Sequence, residues 1–253
     1  MQVIEMRDIW FKYDGDWIMR GINKSINEGT IMGLLGKSGS GKTTLLKILV
    51  GARKPNRGRV SILGLNPRNA RGLLAYVPQN PSHAFYMPTV LEEVMDSLIG
   101  MKGLSRIDAE KAAQDILNIF GLGEYIAENP FNLSWGEQRR LSLAVIAAYS
   151  PRVVLLDEPS TGLSYKDRKW VAALLRGLRS TMVVATHDVD FLLQLGVNDV
   201  VEISDGVLVP VSCRELVARS ELSMVLYGRE MIDETASCDV SEILRRLRHV
   251  GDN

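Results

Sequence analysis

Cysteine is scarce: two in 253 residues, Cys213 and Cys238. Both fall in a polar C-terminal third without metal-ligand spacing, which excludes a zinc framework and a disulfide-dense scaffold. Free thiols in a reducing cytoplasm are the expectation. Excess charge is missing as well, since 30 basic and 30 acidic side chains cancel. That balance argues against bulk attraction to nucleic acid or anionic lipid, so no nucleic-acid partner is expected. No stretch reaches the roughly eighteen consecutive apolar residues of a membrane-spanning helix. The opening Met1–Gln2–Val3–Ile4 lacks the basic-then-apolar pattern of a signal peptide, and no internal repeat or low-complexity segment occurs. What remains is a cytoplasmic globular protein.

The residues present fit that class. The chain is 46% hydrophobic and 24% charged, and long enough to bury a full core. "MQVIEMRDIWFKY" and "GINKSINEGTIMGLLG" are β-rich and punctuated by Gly15, Gly21 and Gly29, the pattern of strands joined by tight turns. "TIMGLLG" (30–36) reads as a short buried strand, with further strands expected at 58–63 and 73–77. From 89 to 149 the periodicity becomes helical, with Gly or Pro at the segment ends. Strand–helix alternation then resumes through "RVVLLD", 165–178, "MVVAT", 188–195, "DVVEIS" and "VLVPV". Such alternation indicates a mostly parallel sheet covered by helices. The expected organisation is an α/β core formed by 1–88 and 150–212, a helical insert over 89–149, and a C-terminal appendage of short helices over 213–253.

Two segments carry chemistry. "GKSGSGKT" (36–43) matches G-x-x-x-x-G-K-[ST] between a strand and a helix. Its glycines let backbone N–H groups turn inward around phosphate oxygens, and the positive end of the following helix points to the same place. Gly36, Lys37, Ser38, Gly39, Ser40, Gly41, Lys42, Thr43 and Thr44 are therefore the expected nucleotide-binding residues, with Lys42 on the phosphates and the Thr43 hydroxyl on Mg²⁺. "VVLLDEPSTG" (153–162) ends an apolar strand in Asp157, placing a carboxylate beside that metal. Glu158 follows, where it can activate water as a general base. Read alone, Asp-Glu after a strand is equally a helix-start signal. Beside a phosphate loop, the catalytic reading prevails.

"NLSWGEQRRL" (132–141) poses a different problem. Ser134 and Glu137 have the spacing of a capping box, yet a bulky Trp135 and a helix-disfavouring Gly136 occupy the first turn.

These segments, taken in order, resemble the ATP-binding-cassette (ABC) ATPases over residues 1–210, most closely the importer subunits of the energy-coupling-factor and cobalt/nickel type. Six elements carry the resemblance: Tyr13 in "WFKYDGD", the loop 36–43, Gln79 in "YVPQNP", "LSWGEQ" (133–138), "LLDEP", and His187 in "VVATHD". "NPSHAFYMPTVLEEV" is similar to the N-P-x-x-x-F-x-P-T-V-x-E-[ED]-V pattern of the importer branch, although His83 and Ala84 replace its common acidic residue and Gln.

The resemblance implies a phosphate-loop NTPase core with a parallel sheet flanked by helices, an N-terminal antiparallel β subdomain and an inserted helical subdomain. It implies Tyr13 against adenine, the alternative being a strand-end tyrosine in water. It implies Gln79 near Mg²⁺ or water, and His187 near the γ-phosphate. Ser134, Gly136 and Glu137 would form the signature that covers ATP held by a second cassette, head to tail. Trp135 stands where the family commonly has Gly. Its ring is expected off the phosphate path, against the dimer partner or the insert, so that Trp135→Gly leaves hydrolysis largely working.

After "LLDEP" the family usually has an Asp where this chain has Ser164 in "STGLSYKD". Either the paired sites are non-equivalent, or Asp167 or a water substitutes. The implied function is ATP hydrolysis coupled to transport by an integral membrane partner, at the cytoplasmic face of the membrane, with uptake of a vitamin or metal ion. The alternative is a soluble ABC ATPase of an assembly pathway such as iron–sulfur cluster biogenesis.

Overall fold

The computed structural model describes residues 1–220. Its strands are β1 (Gln2–Phe11), β2 (Met19–Asn27), β3 (Ile31–Leu35), β4 (Arg57–Ile62), β5 (Leu74–Val77), β6 (Val153–Asp157), β7 (Thr181–Ala185), β8 (Asp199–Ser204) and β9 (Val207–Pro210). The helices are α1 (Lys42–Leu49), α2 (Val90–Lys102), α3 (Arg106–Ile119), α4 (Trp135–Tyr149), α5 (Tyr165–Gly177), α6 (Val189–Leu195) and α7 (Cys213–Ala218). Of the helices expected after 212, α7 lies within the described residues, and the amphipathic "SEILRRLRHV" lies outside them. Cys213 is disulfide-bonded, which corrects the expectation of a free thiol there.

Two sheets form. The smaller has order β2-β1-β4 and is antiparallel; the larger has order β5-β6-β7-β3-β8-β9. Strands β5, β6, β7, β3 and β8 run parallel, with β9 antiparallel at one edge. The central strands are buried on both faces, so they read as continuous apolar runs rather than alternating ones. Alternation reappears in where the side chains go. Val154, Leu156, Met182 and Val184 pack into a core with α2 to α6, while Val153, Leu155, Val183 and Ala185 pack into a second core with α1 and the antiparallel sheet. A period of two thus sends one strand's residues into two cores.

The helical insert has no core of its own. Val94, Leu98, Ala113, Leu117 and Leu141 share one apolar cluster with the strands β5, β6 and β7. Each helix opens on a side-chain cap that the sequence supplies: Thr89 on the N–H of Glu92, Ser105 on that of Asp108, Ser134 on that of Glu137. Glycine closes α2, with Gly103 in the left-handed conformation at φ 68°.

Candidate active site at the strand ends

Parallel strands present their carboxyl ends along one edge, and here that edge delivers the chemistry. Four neighbours in the larger sheet end in the segments the sequence singled out: β5 leads to Gln79, β6 to Asp157 and Glu158, β7 to His187, and β3 to the phosphate loop. Residues far apart in the chain become adjacent because their strands do.

The loop after β3 fits phosphate. Gly36 sits at φ 152°, and a Cβ there would meet Ser40 Oγ at 2.5 Å and the Ile203 carbonyl at 3.2 Å. Gly41, at φ 103°, faces Ile18 at 2.8 Å in the same sense, so neither position tolerates a side chain. Ser40 Oγ is buried with no hydrogen-bond partner, a polar atom aimed into the cradle. Lys42 is 7% exposed, and its Nζ lies within the curl, donating to the Gly36 carbonyl at 2.6 Å. Tyr13 stands at the edge, half exposed, its hydroxyl 3.4 Å from Thr44 Oγ1 and its ring edge-on to Phe11. The Arg53 guanidinium lies 5.7 Å from the ring centroid of Tyr13.

Asp157 is buried at the end of β6. It accepts hydrogen bonds from Thr43 Oγ1 at 3.1 Å and from the Tyr76 hydroxyl at 3.2 Å. Burial pushes the Asp157 carboxyl up, opposed by those hydrogen bonds. A hydroxyl and a carboxylate side by side next to this loop are oxygen donors of the kind that could hold Mg²⁺. Among the described residues no three His, Cys, Asp or Glu gather as a dedicated metal cage. Phosphate oxygens and water would complete the shell, as is usual for this ion.

Glu158 adopts φ 47°, a left-handed conformation that costs a non-glycine residue energy and is held by its surroundings. Its N–H donates to the Ala185 carbonyl at 2.7 Å, tying the bend to β7. The carboxylate is enclosed: Oε2 accepts from Thr186 Oγ1 at 2.9 Å and lies 3.0 Å from His187 Nδ1, and Oε1 lies 3.7 Å from Lys42 Nζ. Lysine, carboxylate and imidazole therefore meet at one point, with the His187 ring largely in solvent. The geometry suits a carboxylate that accepts a proton from water while an exposed imidazole orients the same water.

One residue that the sequence reasoning missed organises this edge. Arg139 is fully buried on α4. Its guanidinium donates to the carbonyls of Pro78 at 3.0 Å and Gln79 at 2.5 Å, with Glu158 O at 3.4 Å. Burial draws it down to about 10, partly offset by the nearby charges of Asp157 and Glu158. The available signal was helical phase: Arg139 shares its face with Ser142, Leu143 and Ile146, all buried. Glu93, also buried, accepts from the N–H groups of Tyr86 at 2.5 Å and Met87 at 2.6 Å, fixing the segment that follows Gln79. That contact gives a physical role to an acidic residue seen before only as part of a pattern.

The signature helix opens as its spacing predicts. Ser134 N–H and Oγ donate to Glu137 Oε2 at 2.8 and 2.7 Å, and Ser134 caps the N–H of Glu137. The Ser134 hydroxyl bond holds the Glu137 carboxyl below its usual range. Space around Gly136 is open, with nothing within 4 Å of where a Cβ would stand. Trp135 departs from expectation. Its ring lies over Gly162 of its own chain, where a Cβ would meet the indole at 2.7 Å, and its Nε1 donates to the Thr161 carbonyl at 3.2 Å. Gly162, at φ 77°, permits this close approach.

Trp135 thereby joins Thr43, Gln79, Asp157 and Thr161 around a cavity of about 590 Å³, whose lining does not include Ser134, Gly136 or Glu137. The structure thus gathers the phosphate loop, Gln79, Asp157, Glu158 and His187 along one edge of the sheet, while Ser134, Gly136 and Glu137 lie outside the lining of that cavity. Ser164 caps α5: its Oγ is 2.6 Å from Asp167 Oδ2 and accepts from the Asp167 N–H.

Known proteins resemble this chain in both sequence and fold. A sequence model of the family described as ABC transporter matches residues 19–161. A Pyrococcus horikoshii protein assigned as an ABC transporter ATP-binding protein is 36% identical over 217 residues, 81% of this chain and 82% of its own. The energy-coupling factor transporter ATP-binding protein of Methanosphaera stadtmanae is 32% identical over 232 residues, covering 87% of this chain and 83% of that protein. Among solved structures, cbiO1 of Clostridium perfringens, part of the ABC transporter complex cbiONQ, superposes with a TM-score of 0.76 at 25% identity, over 90% of this chain and 96% of that one. A dimeric ATP-binding cassette in a post-hydrolysis state with ADP and Pi gives 0.73 at 26% identity, over 81% and 96%.

Proposed function

Since the chain belongs to the ABC transporter ATP-binding family and is an ATPase subunit of that kind, we propose that it drives an importer by closing on ATP head to tail with a second cassette. Lys42 stabilises charge on the transferring phosphoryl group, Glu158 takes the proton of the attacking water, and His187 orients that water. Thr43, Asp157 and Gln79 would hold Mg²⁺, which when bound would supply further charge neutralisation. Ser134, Gly136 and Glu137 cover the nucleotide of the partner cassette, because a helix start offers unpaired N–H donors and positive dipole charge to a phosphate. Closure is favoured only while the γ-phosphate bridges both halves, so hydrolysis reopens the pair. Gln79 and the helical insert pass that motion to an integral membrane partner at the cytoplasmic face. The cargo class is a vitamin or a transition-metal ion, a reading that rests on resemblance to the importer branch.

The single observation that carries the mechanism is the meeting of Lys42, Glu158 and His187 around one carboxylate. Replacing Glu158 with Gln keeps the shape but removes the base. ATP binding is expected to persist, phosphate release to fall by a factor of about 10² or more, and a dimer to accumulate on size-exclusion chromatography with ATP. Near-normal turnover would remove Glu158 from its role. The transporter reading is tested separately by isolating the protein from membranes: a stable complex with an integral membrane protein supports it, whereas recovery wholly from the soluble fraction favours an assembly ATPase.

A further inference from the structure

The zero net charge conceals a lopsided distribution. Residues 29 to 91 contain no Asp or Glu and nine Lys and Arg. Lys37, Lys42 and Lys47 belong to the phosphate loop and α1. The other six come from three neighbouring segments: Arg53 and Lys54 after α1, Arg57 and Arg59 on β4, Arg68 and Arg71 on the turn before β5. Arg53, Lys54, Arg59 and Arg68 line a depression of about 370 Å³, and Arg68 and Arg71 line an adjoining one of about 440 Å³. Neither lining includes a carboxylate.

These cations make no close ion pairs, although Arg59 lies near enough to Glu5 to help hold that carboxyl below its usual range. Among the described residues, none of the six ends in a salt bridge, while Arg7, Lys24, Arg152, Arg168 and Arg219 all do. Arg53 rests over Tyr13, and Arg68 Nε donates to the Gly51 carbonyl at 3.2 Å. Glu5, across the strand pairing from Ser61, is taken up by Arg7. Strand β4 is an edge strand, and edge strands are often guarded by charge. That explains Arg57 and Arg59 but not the cations contributed by two other segments. Apolar side chains accompany the charge: Leu65 and Leu73, in the turn region that carries Arg68 and Arg71, are 42% and 38% exposed.

We propose that this face, built from residues 51–73, binds the phosphate-bearing headgroups of an anionic phospholipid surface. Exposed cations spread around two shallow depressions suit a planar array of phosphates better than one soluble anion, which would be gripped by converging, buried groups. Exposed leucines between cations match a surface that enters the headgroup layer. The inference rests on where the charges lie rather than on their sum, and it does not depend on the transporter reading.

The test is sedimentation of the full chain with protein-free vesicles, either phosphatidylcholine alone or equal parts phosphatidylcholine and phosphatidylglycerol. Association with the anionic vesicles only, weakening as NaCl is raised, is expected. The combined variant Lys54→Gln, Arg57→Gln, Arg59→Gln, Arg71→Gln should lose at least about tenfold in partitioning while hydrolysing ATP as before. If that variant does not fold, Lys54→Gln with Arg71→Gln reads the same effect at smaller size. Equal binding to both vesicle types, or undiminished binding by the variants, overturns the proposal. So does competition by free inorganic pyrophosphate at concentrations too low to screen charge, which would mark a soluble anion site. Binding only to vesicles that carry a membrane protein would assign the face to an acidic protein surface instead.

Discussion

At the scale of single residues, Arg139 and Trp135 each tie together segments of the site that are far apart in the chain. Arg139 neutralises nothing by direct ion pairing. Its value lies in charged hydrogen bonds from a fully buried guanidinium to two part-buried backbone carbonyls. Arg139→Ala should therefore cost about 3 kcal/mol, a fall in Tm of roughly 6–12 °C for a chain of this size. Arg139→Lys keeps the charge but cannot span two carbonyls with a planar fork, so thermal denaturation should place it between the two. A Tm within a degree of the unmodified protein for the alanine variant would mean that water replaces the guanidinium. Trp135 covers Gly162 in the segment that follows Glu158, which revises what its removal does. Trp135→Gly should lower turnover by up to about tenfold through misplacement of that segment, and Trp135→Phe, which keeps the cover and drops one hydrogen bond, should lower it less. Phosphate release by both variants, each checked for an unchanged dimer, separates these outcomes.

At the scale of elements, helix starts do double duty. The capping box of α4 engages the N–H of Glu137 and not those of Trp135 and Gly136, so under the proposed function a structural device and an anion site would share one turn. The start of α5 shows the same economy. Ser164 caps it by accepting from Asp167, and Asp would cap it equally well. Ser164→Asp should thus leave stability within about 0.5 kcal/mol, whereas Ser164→Ala should lose about 1 kcal/mol. If the missing carboxylate matters at the opposite site of a dimer, Ser164→Asp also raises the ATPase rate. An unchanged rate with unchanged stability would confine Ser164 to capping.

At the scale of the whole molecule, the insert 89–149 is continuous in its packing with the sheet. Val94, Leu98 and Leu141 lie in one cluster with Val77, Leu156 and Val184. Calorimetry should accordingly give one cooperative unfolding transition for the nucleotide core and insert. Two resolved transitions would show that the insert folds on its own. Arg139 on α4 donates to the carbonyls of Gln79 and Glu158, so under the proposed function it would carry a shift of α4 to that edge.

Much of this was legible from the chain alone. The phosphate loop, the Asp157–Glu158 pair, the helical stretch from 89 to 149 and the capped start of α4 all depend on local pattern: glycine where the backbone must curl, apolar runs for strands buried on both faces, a serine three residues before a glutamate. Local pattern fails where chemistry is assembled across the fold. That Glu158 Oε2 lies 3.0 Å from His187 Nδ1 follows from β6 and β7 being neighbours, a fact of strand order. Arg139 drew no reading from the sequence, since charge ordinarily signals exposure, and only the fold sets it against two backbone carbonyls. Trp135 was expected against a partner or the insert, because the sequence cannot say that Gly162 lies beneath it. The balance of 30 positive and 30 negative side chains was likewise a sum. The tertiary structure decided where the charges go, because the chain turns between α1, β4 and β5 bring five cations to the lining of two depressions that hold no carboxylate.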